Sequence, residues 1–249
     1  IDWDTAHVVR EESSKYYYGL GVPVDYILAR RLAFIEIKQL RDQTDAFEGP
    51  SILMMLYANG FGVRRDLDLS IRLACANVSG APAEIEGRVE HLKKMKTGDT
   101  TSVFDLCDDI TSGYMMGMCR GILSELNDVK RNSSIDLVIR NWKDGDRVAY
   151  KSLRKAASIF FAERLTSEVD ESGTARAMLI SEESDDLEEI FADEIMRSDQ
   201  CNFIPFSSKD FIRADSTLNK LYATVMRTKT PSWGTITKKG IKRTQRSWI

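Results

Sequence analysis

The sequence is poor in what metal and redox centres are built from. It has two histidines, His7 and His91, and four cysteines, Cys75, Cys107, Cys119 and Cys201, with no C-x-x-C pair among them. Zinc sites draw on closely spaced cysteines with histidine nearby, and dithiol oxidoreductases on C-x-x-C beside a strand. Both classes are disfavoured, and no metal or cofactor is expected. Long apolar runs are missing too. SILMMLYA around Leu53 and ASIFFA around Phe160 fall short of the roughly 20 residues that cross a bilayer, so no membrane span is expected. Proline is scarce, at five residues in 249, and the period-2 alternation of strands is hard to find. The common period is 3.6, which predicts an all-α chain. The chain starts at Ile1 with no charged n-region or apolar h-region, and reads as a mature or trimmed product.

Charge is abundant, and what matters is its distribution. From Glu163 to Glu194 there are twelve acids against Arg164 and Arg176, whereas residues 216–249 hold eight Lys or Arg and no acid. One reading is that these are solvated or mutually paired faces. Another is that the acidic run Glu182, Glu183, Asp185, Asp186, Glu188 and Glu189 steers a charged partner. Such a patch attracts basic proteins, not nucleic acid.

The first third repeats itself. YYYGLGVPVDYILARRLAF, from Tyr16, aligns with YANGFGVRRDLDLSIRLAC, from Tyr57. Gly19 matches Gly60, Gly21 matches Gly62, Asp25 matches Asp66, and Leu32-Ala33 match Leu73-Ala74. The glycines permit a turn that a side chain would obstruct, the Asp caps the helix that follows, and the small Ala lets two helices approach. Each unit is a helical hairpin that cannot bury its apolar face alone. These residues resemble the Sel-like repeat, a relative of the tetratricopeptide repeat. Over about residues 13 to 90 the resemblance implies a short solenoid used for protein binding, which two repeats leave in need of a cap.

A boundary is expected at MKTGDTTS, residues 95–102, where Gly, Thr and Ser interrupt the apolar pattern. The chain is accordingly divided into a repeat region, 1–98, and a helical domain, 99–249. In the second part Asp144-Gly145-Asp146 starts a helix with Tyr150, Leu153, Ala157, Phe160 and Phe161 on one face. Ser181 and the acids after it suit the start of another, whose buried stripe would be Leu187, Ile190, Phe191 and Ile195. A third carries Phe211, Ala214, Leu218, Leu221, Tyr222 and Val225, and the last begins near Thr235.

Cys107 and Cys119 stand with eleven residues between them. A bridge is sterically possible only if Cys107 lies outside the helix bearing Cys119, since a continuous helix would separate the two by about 18 Å. Asp108, Asp109, Thr111 and Gly113 supply turn-forming residues there. Such a bridge implies an oxidising compartment. Cys75, at a small apolar helix position, reads as a buried free thiol.

FDLCDDITSGYMMGMC, then DSTLNKLYATVMR from Asp215, then GIKRTQRSWI from Gly240, is similar to the LprI-like lysozyme-inhibitor family. Its pattern is an opening Cys pair, an Asp-x-x-Leu-Asn-x-x-Tyr helix and a Gln-x-x-Trp helix. Asp215, Leu218, Asn219 and Tyr222 carry the first helical motif, Gln245 and Trp248 the second, and EVDESGTARAM, from Glu168, resembles the linking segment of longer members. These are read as structural residues, the large groups interlocking two antiparallel helices while Asn219 and Gln245 satisfy polar groups between them. The resemblance covers about residues 103 to 249.

No catalytic constellation is found: the histidines stand apart, Ser172-Gly173-Thr174 is no nucleophile elbow, and Gly19-x-Gly21 lacks a nucleotide fingerprint. The expectation is therefore a non-enzymatic all-α protein, a Sel-like hairpin solenoid packed on a disulfide-stapled helical domain. What the two resemblances imply is a periplasmic or secreted protein of the bacterial envelope that blocks a lysozyme-type hydrolase. The alternatives are an immunity protein that neutralises a secreted toxin through the repeats, and an envelope scaffold.

Overall fold

The computed structural model describes residues 12–40, 46–76, 80–98, 102–201, 207–229 and 232–247. Among these are ten α-helices and no strand, in agreement with the all-α expectation. The chain forms two compact units, Ile1–Val129 and Lys130–Ile249.

The first unit opens with two helical hairpins. Helix α1 (Ser13–Tyr18) pairs with α2 (Tyr26–Leu40), and α3 (Pro50–Asn59) with α4 (Leu67–Ala76); α5 (Pro82–Thr97) then packs on α4. The repeat of sequence is a repeat of structure. Gly19 and Gly60 end the first helix of each hairpin in the left-handed region, at φ 77° and 72°. A side chain is disfavoured at that conformation, which is why glycine recurs there. The Asp25 N–H donates to Tyr16 O at 3.0 Å, and the Asp66 N–H to Tyr57 O at 2.9 Å. Each Asp then caps its helix, Asp25 Oδ1 accepting from the Leu28 N–H and Asp66 Oδ1 from the Leu69 N–H, both at 2.9 Å. Ala29, Ala33 and Ala74 are buried where the helices touch.

Helix α3 is the centre of the core: Ile52, Leu53, Met54, Met55, Leu56 and Ala58 are all buried. A carboxylate ties the hairpins together beneath it. Buried Glu36 accepts from the Ser13 N–H at 2.7 Å, the Ser13 hydroxyl at 2.6 Å and the Gly49 N–H at 2.6 Å. Three donors offset the cost of burying the charge.

The far side of this core is closed by residues 104–119. Phe104, Leu106 and Met115 are fully buried against the hairpins. Cys107 and Cys119 form a disulfide with Cα atoms 5.8 Å apart. Cys107 precedes helix α6 (Gly113–Ile139) and Cys119 lies inside it, the arrangement that steric reasoning required. Polar clamps hold the segment down. The Asn59 side chain donates to Phe104 O and accepts from the Phe104 N–H, each at 2.8 Å. The Tyr18 hydroxyl donates to Asp105 Oδ2 at 2.9 Å. Burial pushes both the Tyr18 hydroxyl and the Asp105 carboxyl upward, so this bond lies out of bulk water. Glu84, on α5 and fully buried, accepts from the backbone N–H groups of Thr111 at 2.9 Å and Ser112 at 2.7 Å. Its other oxygen accepts from the Ala81 N–H at 2.8 Å. Burial alone would raise the Glu84 carboxyl, but these donors outweigh it and hold it below its ordinary value.

The second unit contains α7 (Asp144–Ser167), α8 (Arg176–Asp199), α9 (Ser208–Arg227) and α10 (Lys238–Ser247), with the end of α6. Helix α7 packs against α8 and α10. The apolar core is small: Ile135, Ala192 and Ile195 are buried, flanked by Trp142, Tyr150 and Phe191. Helix α10 seats on α7 through buried Gly240 and Thr244, and Arg243 donates to the Ser167 hydroxyl at 2.9 Å.

Three expectations are corrected. Helix α8 begins at Arg176, not Ser181, and has no acid in its first turn, so the acids decorate its body and do not complement its N-terminus. The stripe it buries contains Leu187, Ala192 and Ile195, while Ile190 is 62% exposed. Cys75 is exposed, because α4 turns Ser70 and Ala74 inward and the next position points away.

The closure generates two expectations. Replacing both Cys107 and Cys119 by Ser lowers stability by about 3 kcal/mol through the freed loop, read from the urea midpoint, and unreduced wild type shows two alkylatable thiols by mass. Glu84→Gln costs about 3 kcal/mol, since it removes a buried negative charge that faces Arg88 and accepts from three backbone N–H groups, and circular dichroism on thermal unfolding measures the loss.

Candidate functional site

Helix α8 carries the acidic run, and its period divides the acids between two faces. Asp185, Glu188 and Glu183 turn toward neighbouring helices, where arginines receive them. Arg131 of α6 reaches Asp185 at 2.8 Å, both side chains being nearly inaccessible. Arg154 of α7 grips Glu188 with two nitrogens, at 2.6 and 2.8 Å, while its guanidinium lies 5.2 Å from the Phe191 ring centre. Arg164 pairs with Glu183. Planar, bidentate and ring-stacked arginine contacts of this kind are the ones that fix geometry. In a unit with so small an apolar core they set how α8 lies on α6 and α7.

Glu182, Asp186, Glu189 and Asp193 are exposed. Their spacing of i, i+4, i+7 and i+11 puts them in one line along the helix. Only Glu189 among them has an ion-pair partner among the described residues, at 3.4 Å from Arg131. Between α7 and α8 lies an apolar groove of about 520 Å³, lined by Leu153, Ala157, Phe161, Ile190 and Ile195 among others, with Glu194 as its one acid. Ile190, exposed, is part of that lining.

The helical motif at 215–222 lies elsewhere. Helix α9 starts with a capping box in which Ser207 and Asp210 satisfy each other, yet none of its residues is buried. Leu218 and Tyr222 face Phe160 of α7 and Ile241 and Gln245 of α10 across an open cleft of about 310 Å³, and do not interlock tightly with α10. Asn219 donates to Asp215 Oδ2 at 3.1 Å within its own helix, and among the described residues its side chain makes no hydrogen bond to another helix. Trp248 lies outside the described residues.

The linking segment at 168–174 is pinned. Asp170 Oδ1 accepts from the N–H groups of Ser172 and Thr235, each at 3.0 Å, and Oδ2 from the Ser172 hydroxyl at 2.8 Å. The Thr235 bond leads the contacts that hold this carboxyl down to about 2. Gly19, Gly21, Asp25, Gly60, Gly62 and Asp66 all sit in the two hairpin turns described above. No cluster of three or more potential metal ligands occurs among the described residues.

The sequence reading missed Arg131, Arg154 and Arg164. The available signal was a long cation recurring within helices whose neighbours are apolar. Comparison with family models, with curated proteins and with solved structures returned no match.

Two measurements separate these roles. Asp185→Asn is expected to cost about 3 kcal/mol by removing the nearly inaccessible carboxylate that Arg131 contacts at 2.8 Å, whereas Glu182→Gln and Asp186→Asn each change stability by less than about 0.5 kcal/mol. The Asp170 contact has a depressed folded-state value, so its contribution is complete above the ordinary carboxyl value of about 4 and is lost as pH falls through about 2. Fluorescence of neighbouring Trp233 should report that transition, and Asp170→Asn should abolish it.

Proposed function

We propose that this chain is a non-catalytic binding protein of the bacterial envelope, periplasmic or secreted, that inhibits a lysozyme-type hydrolase by covering its cleft. The observation that carries this reading is the exposed acidic line on α8, a helix that also walls an apolar groove. Lysozyme-type enzymes cut glycan with two carboxylates in an open cleft, so a helix face seated over it is sufficient to inhibit. Where the target is basic, the line Glu182, Asp186, Glu189 and Asp193 accelerates encounter, in a manner weakened by salt. The groove supplies the dehydrated contact that slows release. The similarity of the Cys pair and the two helical motifs to the LprI-like family supports the same reading. The disulfide supports an oxidising compartment.

The test is cell-wall clearing by lysozyme with the protein in micromolar excess. Clearing slows, and a Glu182→Lys, Asp186→Lys, Asp193→Lys variant relieves the inhibition most strongly at low salt. Unchanged clearing in the presence of wild-type protein removes the proposal. Loss of inhibition on changing the repeat turns, with the α8 variant still active, would instead favour recognition through the repeats, as in an immunity protein.

A further inference from the structure

In the first unit, a cleft of about 670 Å³ opens between α2, the α3–α4 turn and α5. Four cations line it: Arg30 from α2, Arg64 and Arg65 from the turn, and Lys96 from α5. Two carboxylates oppose them, Asp66 and Asp68, so the lining has a surplus of two positive charges. Both carboxylates are engaged. Asp66 Oδ1 caps α4 through the Leu69 N–H at 2.9 Å, and Asp68 is held by Lys96 at 2.5 Å. None of the three arginines has an ion-pair partner among the described residues.

Their placement is specific. The Arg65 Nε–H donates to Ala58 O at 2.8 Å, which anchors the side chain and leaves its two terminal nitrogens available. Arg30 lies against aromatic rings, its guanidinium carbon 5.7 Å from the centre of Phe34 and 6.0 Å from that of Tyr57. Its Nε–H is shielded from solvent and has no protein acceptor among the described residues. A buried donor without an acceptor is destabilising, and such groups are uncommon without a reason.

The internal repeat supplies a control. At the positions of Arg64 and Arg65 the first hairpin has Pro23 and Val24, and at the position of Arg30 the second has Ile71. Both hairpins form the same turn, with the same Asp-to-Tyr backbone bond. The turn therefore requires neither arginine, and the cations are additions to the repeat.

The geometry points to a binding site for a small organic dianion, either a dicarboxylate or a single phosphate monoester. The charge surplus of the lining matches two negative charges, and guanidinium is the side chain suited to bidentate contact with either oxyanion. The volume lies in the range of small-molecule sites. Tyr57, Val63 and Leu67 give the cleft an apolar wall for the carbon skeleton. The site is independent of the α8 surface, and its outcome leaves the inhibitor reading untouched.

Titration calorimetry of the whole chain at low ionic strength tests this, with inorganic phosphate, succinate and N-acetyl-Glu-Glu-amide as probes. At least one binds with 1:1 stoichiometry and Kd below about 1 mM, weakened by added salt; which one binds separates phosphate from carboxylate. Arg64→Ala with Arg65→Val weakens it at least about tenfold, with the helical circular dichroism spectrum retained because the first hairpin folds with Val at that turn. Arg64→Ala alone, at an exposed position, gives a partial loss and serves if the double variant does not fold. Lys239→Gln with Lys242→Gln, on the basic helix α10, leaves binding intact. No saturation by about 10 mM of any probe, equal binding by the arginine variants, or loss through α10 overturns the site.

Discussion

The first unit depends on closing one end of a two-hairpin array. Helix α3 has apolar or small groups on nearly every side, and α1, α2 and α4 cover only part of it. The remainder is covered by Phe104, Leu106 and Met115. These residues belong to a segment with little regular structure before α6, whose backbone groups need partners wherever it leaves water. Glu84 provides two of them from the opposite side of the core, Asn59 provides two more, and the disulfide limits how far the segment strays when it opens. Removal of the segment would leave α3 wet. The repeats and the stapled loop are therefore one folding problem, even though their sequence signatures lie in different regions.

The second unit solves a different problem. Its apolar core is small, and the exposed apolar groups on α7, α8 and α9 show that hydrophobic burial alone leaves the arrangement of helices loosely determined. Arginines replace what is missing. Arg131, Arg154 and Arg164 each reach across to a carboxylate of α8, and because a guanidinium accepts only a narrow set of geometries, these pairs specify rotation and register more than they add stability. The same division by helix period leaves the other acids facing water. One segment thus supplies internal cross-links on one side and an exposed acidic surface on the other.

Charge is therefore distributed unevenly. The exposed line on α8 is negative, and the lining of the cleft on the second hairpin has a surplus of positive charge.

Much of this was legible. The phase of the hairpins, the residues of their turns, the helical class and the competence of Cys107 and Cys119 to bridge all follow from local geometry, which spacing reports directly. Assignments that needed a distant partner were less secure. Ile190 was placed inside by its period, yet a helix with several apolar positions can rotate until arginines decide its face. Cys75 sits one residue from the buried Ala74, a rotation of about 100° that pattern alone does not resolve. Asn219 finds its acceptor within its own helix. The sequence by itself determined the helices, the duplicated turn and the availability of a bridge, because these depend on neighbours within a few residues. Which acids are paired, which face water and which cations meet in one cleft was decided only by tertiary structure, because charge interacts through space and its partners can be distant along the chain, as Glu163 and Arg243 are at 3.4 Å.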